Sequence, residues 1–156
     1  MITYVTEMKT ISPIETGIDS FLRQAAKHRH LRMGIVTNQA ATTVSGIPSR
    51  VALLCAEFKI TRIFSPEHGI SVQGEDGAPQ QDTRDPATGL PVTSLYGEKL
   101  APSEEDLRDL DLLLFDIPDV GARFYTYLWT MTYVMESCAQ FNKPLIILDR
   151  PNPIGA

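Results

Sequence analysis

The chain of 156 residues predicts an α/β fold: a doubly wound, mainly parallel sheet with helices on both faces. Two features carry that reading. Asp111–Ile117 (DLLLFDI) and Leu145–Leu148 (LIIL) are short and almost wholly apolar, as strands buried on both faces must be. Between such runs lie stretches whose apolar residues recur at helix spacing. The length suits one compact domain with a real core and is too short for two full-sized ones.

In chain order, residues 17–28 place Ile18, Phe21, Leu22 and Ala25 at helix spacing. Met33–Val36 (MGIV) reads as the first buried strand. Ile47, Val51, Leu54 and Phe58 then recur at intervals of 4, 3 and 4, a second helix with Pro48 in its first turn, where its missing N–H costs nothing. Ile60–Phe64 (ITRIF) is β-branched and aromatic enough to form the next strand. From Ser65 to about Pro102 the chain is rich in Gly, Pro, Asp and Gln, and far exceeds the roughly two to six residues usual for a loop in an α/β unit. Within it, Leu90–Tyr96 reads as a short edge strand. Ser103 caps a further helix, with Glu104 and Glu105 near its positive end. Residues 111–117 form the clearest strand. Residues 126–141 form the clearest helix, with Tyr127, Met131, Val134, Met135, Cys138 and Phe141 on one face. Residues 145–148 are a fourth core strand.

Bulk properties remove several function classes. The net charge is -5 and the charges are mixed along the chain, so the basic stripe of a nucleic-acid binder is missing. No run approaches the ~20 apolar residues of a membrane span, and no membrane partner is expected. The amino terminus, MITYVTEMKTISPIETG, carries acidic residues and no continuous apolar stretch, unlike a secretory leader. A cytoplasmic protein is the expectation, or an exported one if a leader has been removed. Cys55 and Cys138 fall in apolar helical patterns and read as two buried free thiols. The sequence stops just after a core strand, so residues 1–156 read as one domain and as a fragment of a longer protein.

Ligands of such sheets bind beyond the carboxyl ends of the strands. All four strand tips carry polar side chains: Thr37, Asn38 and Gln39; Glu67 and His68; Asp116, Asp119 and Arg123; Asp149, Arg150 and Asn152. One cleft collecting them all is the expectation. The turn after the first strand, TNQAATT, lacks the glycines of a dinucleotide site, and no GxxxxGK[ST] occurs, so no nucleotide or other cofactor is expected. Glu67, between Pro66 and His68 in a loop ending at Gly69, suits a general acid held in a rigid turn; a helix cap or a pair with Arg123 is the structural alternative. His68 is a shuttle, a ligand or a packing residue. With only three histidines a zinc site is not expected, while Mg²⁺ on Asp116, Asp119 or Asp149 stays open. Asp116 orients Arg123 or accepts from ligand hydroxyls, with a purely structural ion pair as the equal alternative. Arg123 beside Phe124 and Tyr125 sets a cationic fork next to aromatic faces, as in a carbohydrate subsite able to grip a carboxylate. Tyr125 and Tyr127 suit the core equally well. Prolines on both sides of Asn152 stiffen a loop that reads ligand hydroxyls or ties the sheet to a following domain.

The segments MGIVTNQAA, IFSPEHGI, TGLPVTSLYG, LLLFDIPDVGARFYTYLWTM and ILDRPNPIG, in that order, resemble the NamZ-type exo-β-N-acetylmuramidases over residues 16–155. The resemblance implies a Rossmann-like N-terminal domain followed by a smaller C-terminal one, with the active site between them. It implies removal of terminal N-acetylmuramic acid from the non-reducing ends of peptidoglycan, with Glu67 of the PEHG motif as the catalytic acid. It further implies that Asn38, His68, Asp116, Arg123, Tyr125 and Asn152 line or support the sugar site; Asp119 and Asp149 join them as neighbouring carboxylates. Asp116, Asp119, Asp149 and the substrate's own 2-acetamido group are all open as the second catalytic group. The rival readings are a non-catalytic wall-sugar-binding module, an inactive truncated product and, on weaker grounds, a metal-dependent phosphohydrolase.

Overall fold

A computed structural model describes residues 15–71 and 83–154. Most of the amino-terminal stretch read above for a leader, part of the long Gly/Pro-rich segment and the last two residues lie outside that range. The described chain forms α1 (Gly17–Gln24), a 3₁₀ turn (Ala26–His28), β1 (Arg32–Thr37), α2 (Ser49–Cys55), β2 (Lys59–Ser65), β3 (Thr83–Arg84), β4 (Pro91–Ser94), α3 (Glu104–Leu107), β5 (Leu112–Asp116), α4 (Tyr127–Gln140) and β6 (Leu145–Ile147). One six-stranded sheet results, in the order β3-β4-β2-β1-β5-β6. Every pairing is parallel except that of β3 with β4. The doubly wound α/β fold is therefore present.

Alternation along the strands divides the core into two layers. Met33, Ile35, Leu112 and Leu114 pack with Ile18, Phe21 and Leu53 of α1 and α2. Val36, Leu113 and Phe115 pack with Leu107 at the end of α3 and with Val134 and Cys138 of α4. A register shift between Met33 and Gly34 lets Ile60 and Ile63, three apart on β2, share the first layer. Each fully buried aliphatic side chain contributes about 1.5–3 kcal/mol relative to exposure, which makes these two layers the main source of stability. Gly34 is a packing requirement, because a Cβ there would sit 2.7 Å from Leu110 and 2.8 Å from Leu113.

Several expectations need correction. The first helix gives way to a 3₁₀ turn, where His28 stacks on Phe21. The second helix is shorter than its apolar repeat: Ile47 precedes it, 46% exposed, while Phe58 follows a left-handed Glu57 and is buried by tertiary packing. The strand at 91–94 is not at an edge, because β3 covers it. Met135 faces solvent, and Thr130 and Ser137 take buried positions on α4 instead, since its inner face is turned from the one the apolar repeat marks. The last strand is an edge strand of mixed exposure rather than a core strand. Cys138 is buried, which pushes its thiol up to about 11, but Cys55 is exposed.

Two local devices fix the flanks. Ser103 and Asp106 close a capping box on α3, and Asp106 also accepts from Lys99 (2.7 Å) and Arg62 (3.1 Å). At the other flank α1 abuts the end of β6: the Gly17 N–H donates to the Asp149 carbonyl at 2.6 Å. A Cβ on Gly17 would lie 2.3 Å from the Asp149 nitrogen and 2.4 Å from the Leu148 carbonyl carbon, which are backbone atoms that cannot swing aside. Gly17→Ala is expected to cost about 1–3 kcal/mol, or more, through this overlap. The urea midpoint reads it directly, and an unchanged midpoint would mean that α1 does not bear on β6.

Candidate active site

β1 lies in the middle of the sheet, with β2 on one side and β5 on the other. The chain leaves β1 by α2 on one face and leaves β5 by α4 on the opposite face, so the two connections part above the β1–β5 boundary. Such a switch point opens a crevice at the carboxyl ends. Thr37 and Asp116 are register partners at its lip, and the polar strand tips gather around it.

Asp116 is fully buried, which is costly unless its charge is matched. The match is Arg150: Nε donates to Oδ1 at 2.6 Å and Nη2 to Oδ2 at 3.0 Å, a two-pronged fork. The same guanidinium donates to the Thr42 carbonyl (2.8 Å) and the Ser49 hydroxyl (3.1 Å). One side chain therefore joins the ends of β5 and β6 to the β1–α2 connection and the first turn of α2. The suggested pairing of Asp116 with Arg123 is not what forms. Arg123 is exposed, and among the described residues no carboxylate pairs with it.

The turn after β2 presents Glu67. The Gly69 N–H donates to the Pro66 carbonyl (3.0 Å), and both His68 (φ 68°) and Gly69 (φ 72°) are left-handed. For glycine that conformation is free; for histidine it costs of order 1–2 kcal/mol, a strain of the kind that collects at functional loops. The turn is held from outside as well, because the Gln39 N–H donates to the Ile70 carbonyl at 2.8 Å. Glu67 ends up 8% exposed and His68 partly exposed.

Several clefts lie along this edge, rather than the single one expected, and two carry most of the strand-tip side chains. The first, of about 360 Å³, is lined by Glu67, His68, Phe124, Tyr125, Thr126 and Tyr127. The second, of about 260 Å³, has an apolar floor of Phe115, Ile117, Leu128, Met131, Ile147 and Leu148, with Asp119, Asp149, Arg150 and Asn152 at its polar side. Tyr127 belongs to both. Asn38 reaches neither surface: it is fully buried below the crevice, with Oδ1 accepting from the Ala40 N–H at 3.0 Å. Asn152 is exposed and packs on the left-handed Gly121, where a Cβ would meet its side chain at 2.3 Å, so the loops after β5 and β6 touch.

Arg150 and Tyr127 are the residues that the sequence undersold. For Arg150 the signal was its place at a strand tip; its partners lie 34, 101 and 108 residues away. Chemically, the first cleft offers a buried carboxyl beside aromatic faces, which suits acid chemistry on a sugar ring. Among the described residues no group of three His, Cys, Asp or Glu is placed to hold a metal ion.

Comparison with known proteins agrees with this architecture. Residues 33–156 match the family profile described as exo-beta-N-acetylmuramidase NamZ, N-terminal. The chain is 42% identical over 145 residues to the peptidoglycan beta-N-acetylmuramidase NamZ of Bacillus subtilis (strain 168), covering 91% of this chain and 35% of that protein. Crystal structures of two DUF1343 family proteins from Bacteroides fragilis NCTC 9343 superimpose with TM-scores of 0.78 and 0.74, at 40% and 34% identity, over 90% and 91% of this chain. The chain spans 35% and 36% of those two proteins, about a third of their length.

The buried fork makes a direct prediction. Arg150→Ala leaves the Asp116 carboxylate buried without its counter-charge, and the expected loss is about 3–5 kcal/mol in chemical denaturation. A loss below about 1 kcal/mol, the range of a surface ion pair, would show that the fork does not hold the edge together.

Proposed function

The chain belongs to the exo-β-N-acetylmuramidase NamZ family and corresponds to its N-terminal part; from that premise we propose that it carries the catalytic site of a peptidoglycan glycoside hydrolase. The reaction releases N-acetylmuramic acid from the non-reducing end of a wall glycan, and Glu67 is the catalytic acid. The observation that carries this reading is the placement of Glu67: a buried carboxyl on a strained turn, in a cleft walled by Phe124, Tyr125 and Tyr127. Aromatic faces hold the apolar faces of sugar rings, and a carboxylic acid facing them can protonate the departing glycosidic oxygen.

The geometry also bears on the second catalytic group. Both oxygens of Asp116 are engaged by Arg150, so that carboxylate serves as an anchor and is poorly placed to attack or stabilise a sugar cation. Asp119 and Asp149 line the neighbouring cleft, and Asp149 is partly engaged through the Arg150 N–H at 2.9 Å. The protein therefore offers Asp119 first, Asp149 second, and leaves the substrate's 2-acetamido oxygen as the remaining internal nucleophile. Arg123, exposed and next in sequence to Phe124 of the first cleft, is the cation assigned to a lactyl carboxylate in this reading. The polypeptide that extends beyond this third in the relatives would supply the opposite wall, so the assay belongs in a protein of the relatives' full length carrying this chain as its N-terminal part.

The assay is release of N-acetylmuramic acid from a MurNAc–GlcNAc disaccharide. Glu67→Gln keeps the size and polarity of the side chain and removes its proton chemistry, so the rate is expected to fall by about 10²- to 10⁴-fold. A variant as fast as its parent would move the acid elsewhere. No release by the parent, with the disaccharide still bound, would leave a sugar-binding domain in place of a hydrolase.

A further inference from the structure

Tyr127 opens α4 where the two clefts meet, and its side chain is a wall of both. It is 5% exposed and stands edge-on to Tyr125, with ring centroids 4.9 Å apart and planes at 82°. Packing thus fixes the ring firmly. Its helical spacing with Val134 and Cys138 would make it an ordinary core residue, and for that role only the ring matters. The hydroxyl group has a setting of its own.

Asn38 sits beside that hydroxyl, at the end of β1. Its Oδ1 is already occupied by the Ala40 N–H. What remains is the Nδ2 donor, which is buried and closes no hydrogen bond of normal geometry. A buried donor left unmatched is costly, by about 1–3 kcal/mol, so its neighbour matters. The neighbour is the phenol oxygen, on which Asn38 acts as a donor does, favouring the ionised form. A phenol whose oxygen faces a donor must turn its own proton elsewhere. Tyr127 also borders the cleft of Glu67, whose charge is felt at the phenol.

We propose that Tyr127 is a substrate-binding hydroxyl of this site, aimed by Asn38, whose O–H donates to a sugar oxygen lying across the partition between the two clefts. The proposal rests on the glycosidase reading of Glu67 and extends it: one ring occupies each cleft, and the bond joining them passes over Tyr127. The titratable groups that line the two clefts with Tyr127 are Glu67 and His68 from the turn after β2, Tyr125 before α4, Asp119 after β5, and Asp149 and Arg150 after β6. Burial, then Tyr125, then the charge of Glu67 push its ionisation upward and together outweigh Asn38. The hydroxyl consequently remains a neutral donor around neutral pH. Asn38 touches no ligand in this scheme and is a positioning residue.

The test measures binding of a MurNAc–GlcNAc disaccharide by calorimetry in the full-length Glu67→Gln protein, where turnover is blocked. Tyr127→Phe keeps the ring and removes only the hydroxyl. Binding is expected to weaken about tenfold, the worth of one good hydrogen bond. Asn38→Ala is expected to weaken it by a smaller factor, and the double variant to be no worse than Tyr127→Phe alone, because Asn38 acts through the hydroxyl. The ¹³Cζ resonance of Tyr127 should also move when the disaccharide is added, which a purely structural ring would not do. Tyr127→Phe binding within twofold of its parent, with that resonance unmoved, overturns the proposal while the glycosidase reading stands. Losses that add in the double variant overturn the role given to Asn38. A folded Glu67→Gln parent that does not bind the disaccharide removes the glycosidase reading, and this proposal falls with it.

Discussion

The carboxyl edge of this sheet is organised by one buried ion pair, Asp116 with Arg150. Four hydrogen bonds from a single guanidinium beyond β6 reach the end of β5, a connecting loop and a helix start. Buried charges repay their desolvation only when geometry and hydrogen bonding are both good, and here each carboxylate oxygen has a donor. A second buried pair among the described residues is less complete. Arg50 Nε meets Asp85 Oδ2 at 2.9 Å, yet Arg50 Nη1 and Asp85 Oδ1 are buried without partners. That contrast marks the Arg150 fork as the better-built joint, and it is the one beside the clefts.

The fork has a consequence for chemistry. An edge rich in carboxylates invites a two-carboxylate mechanism, but the most deeply buried of them is consumed by structure. What remains is asymmetric: Glu67 in an aromatic cleft, Asp119 and Asp149 beside an apolar one, and Tyr127 between. In the proposed hydrolase this puts the acid in one cleft and the candidate second carboxylates in another, with Tyr127 lining both. It also gives the two sugars different surroundings, with aromatic walls and the exposed Arg123 on one side and a mainly apolar floor with acidic rims on the other.

Much of the fold was legible because burial on both faces leaves a plain mark. Leu112–Asp116 is all but uniformly apolar and forms a fully buried strand. Edges and helix faces were harder to read. Ile147 belongs to a run as apolar as the central strand, yet it is 43% exposed, because position in the sheet is a tertiary property. Met135 fits an apolar repeat, but the packed face of α4 accepts Thr130 and Ser137 instead, the latter donating to the Pro102 carbonyl. At the site, the strand-tip rule located Glu67, Asp119, Asp149 and Asn152, because parallel topology puts all tips on one edge. It had no means of dividing them between two clefts. Nor could it pair Asp116 with Arg150 across 34 residues when Arg123 stood only seven positions along the chain. Tyr127 stayed an even choice because a core tyrosine and a functional one share the same helical spacing; the buried amide of Asn38 beside its hydroxyl favours the second.

A sugar site on the carboxyl edge around Glu67 is tested by a ¹H–¹⁵N chemical-shift map of the chain titrated with N-acetylmuramic acid. Saturable shifts are expected at residues 67–69 and 123–127, fading toward the amino-terminal ends of β1 and β5. Shifts at the opposite edge of the sheet, or none at concentrations where the chain stays folded, would contradict it.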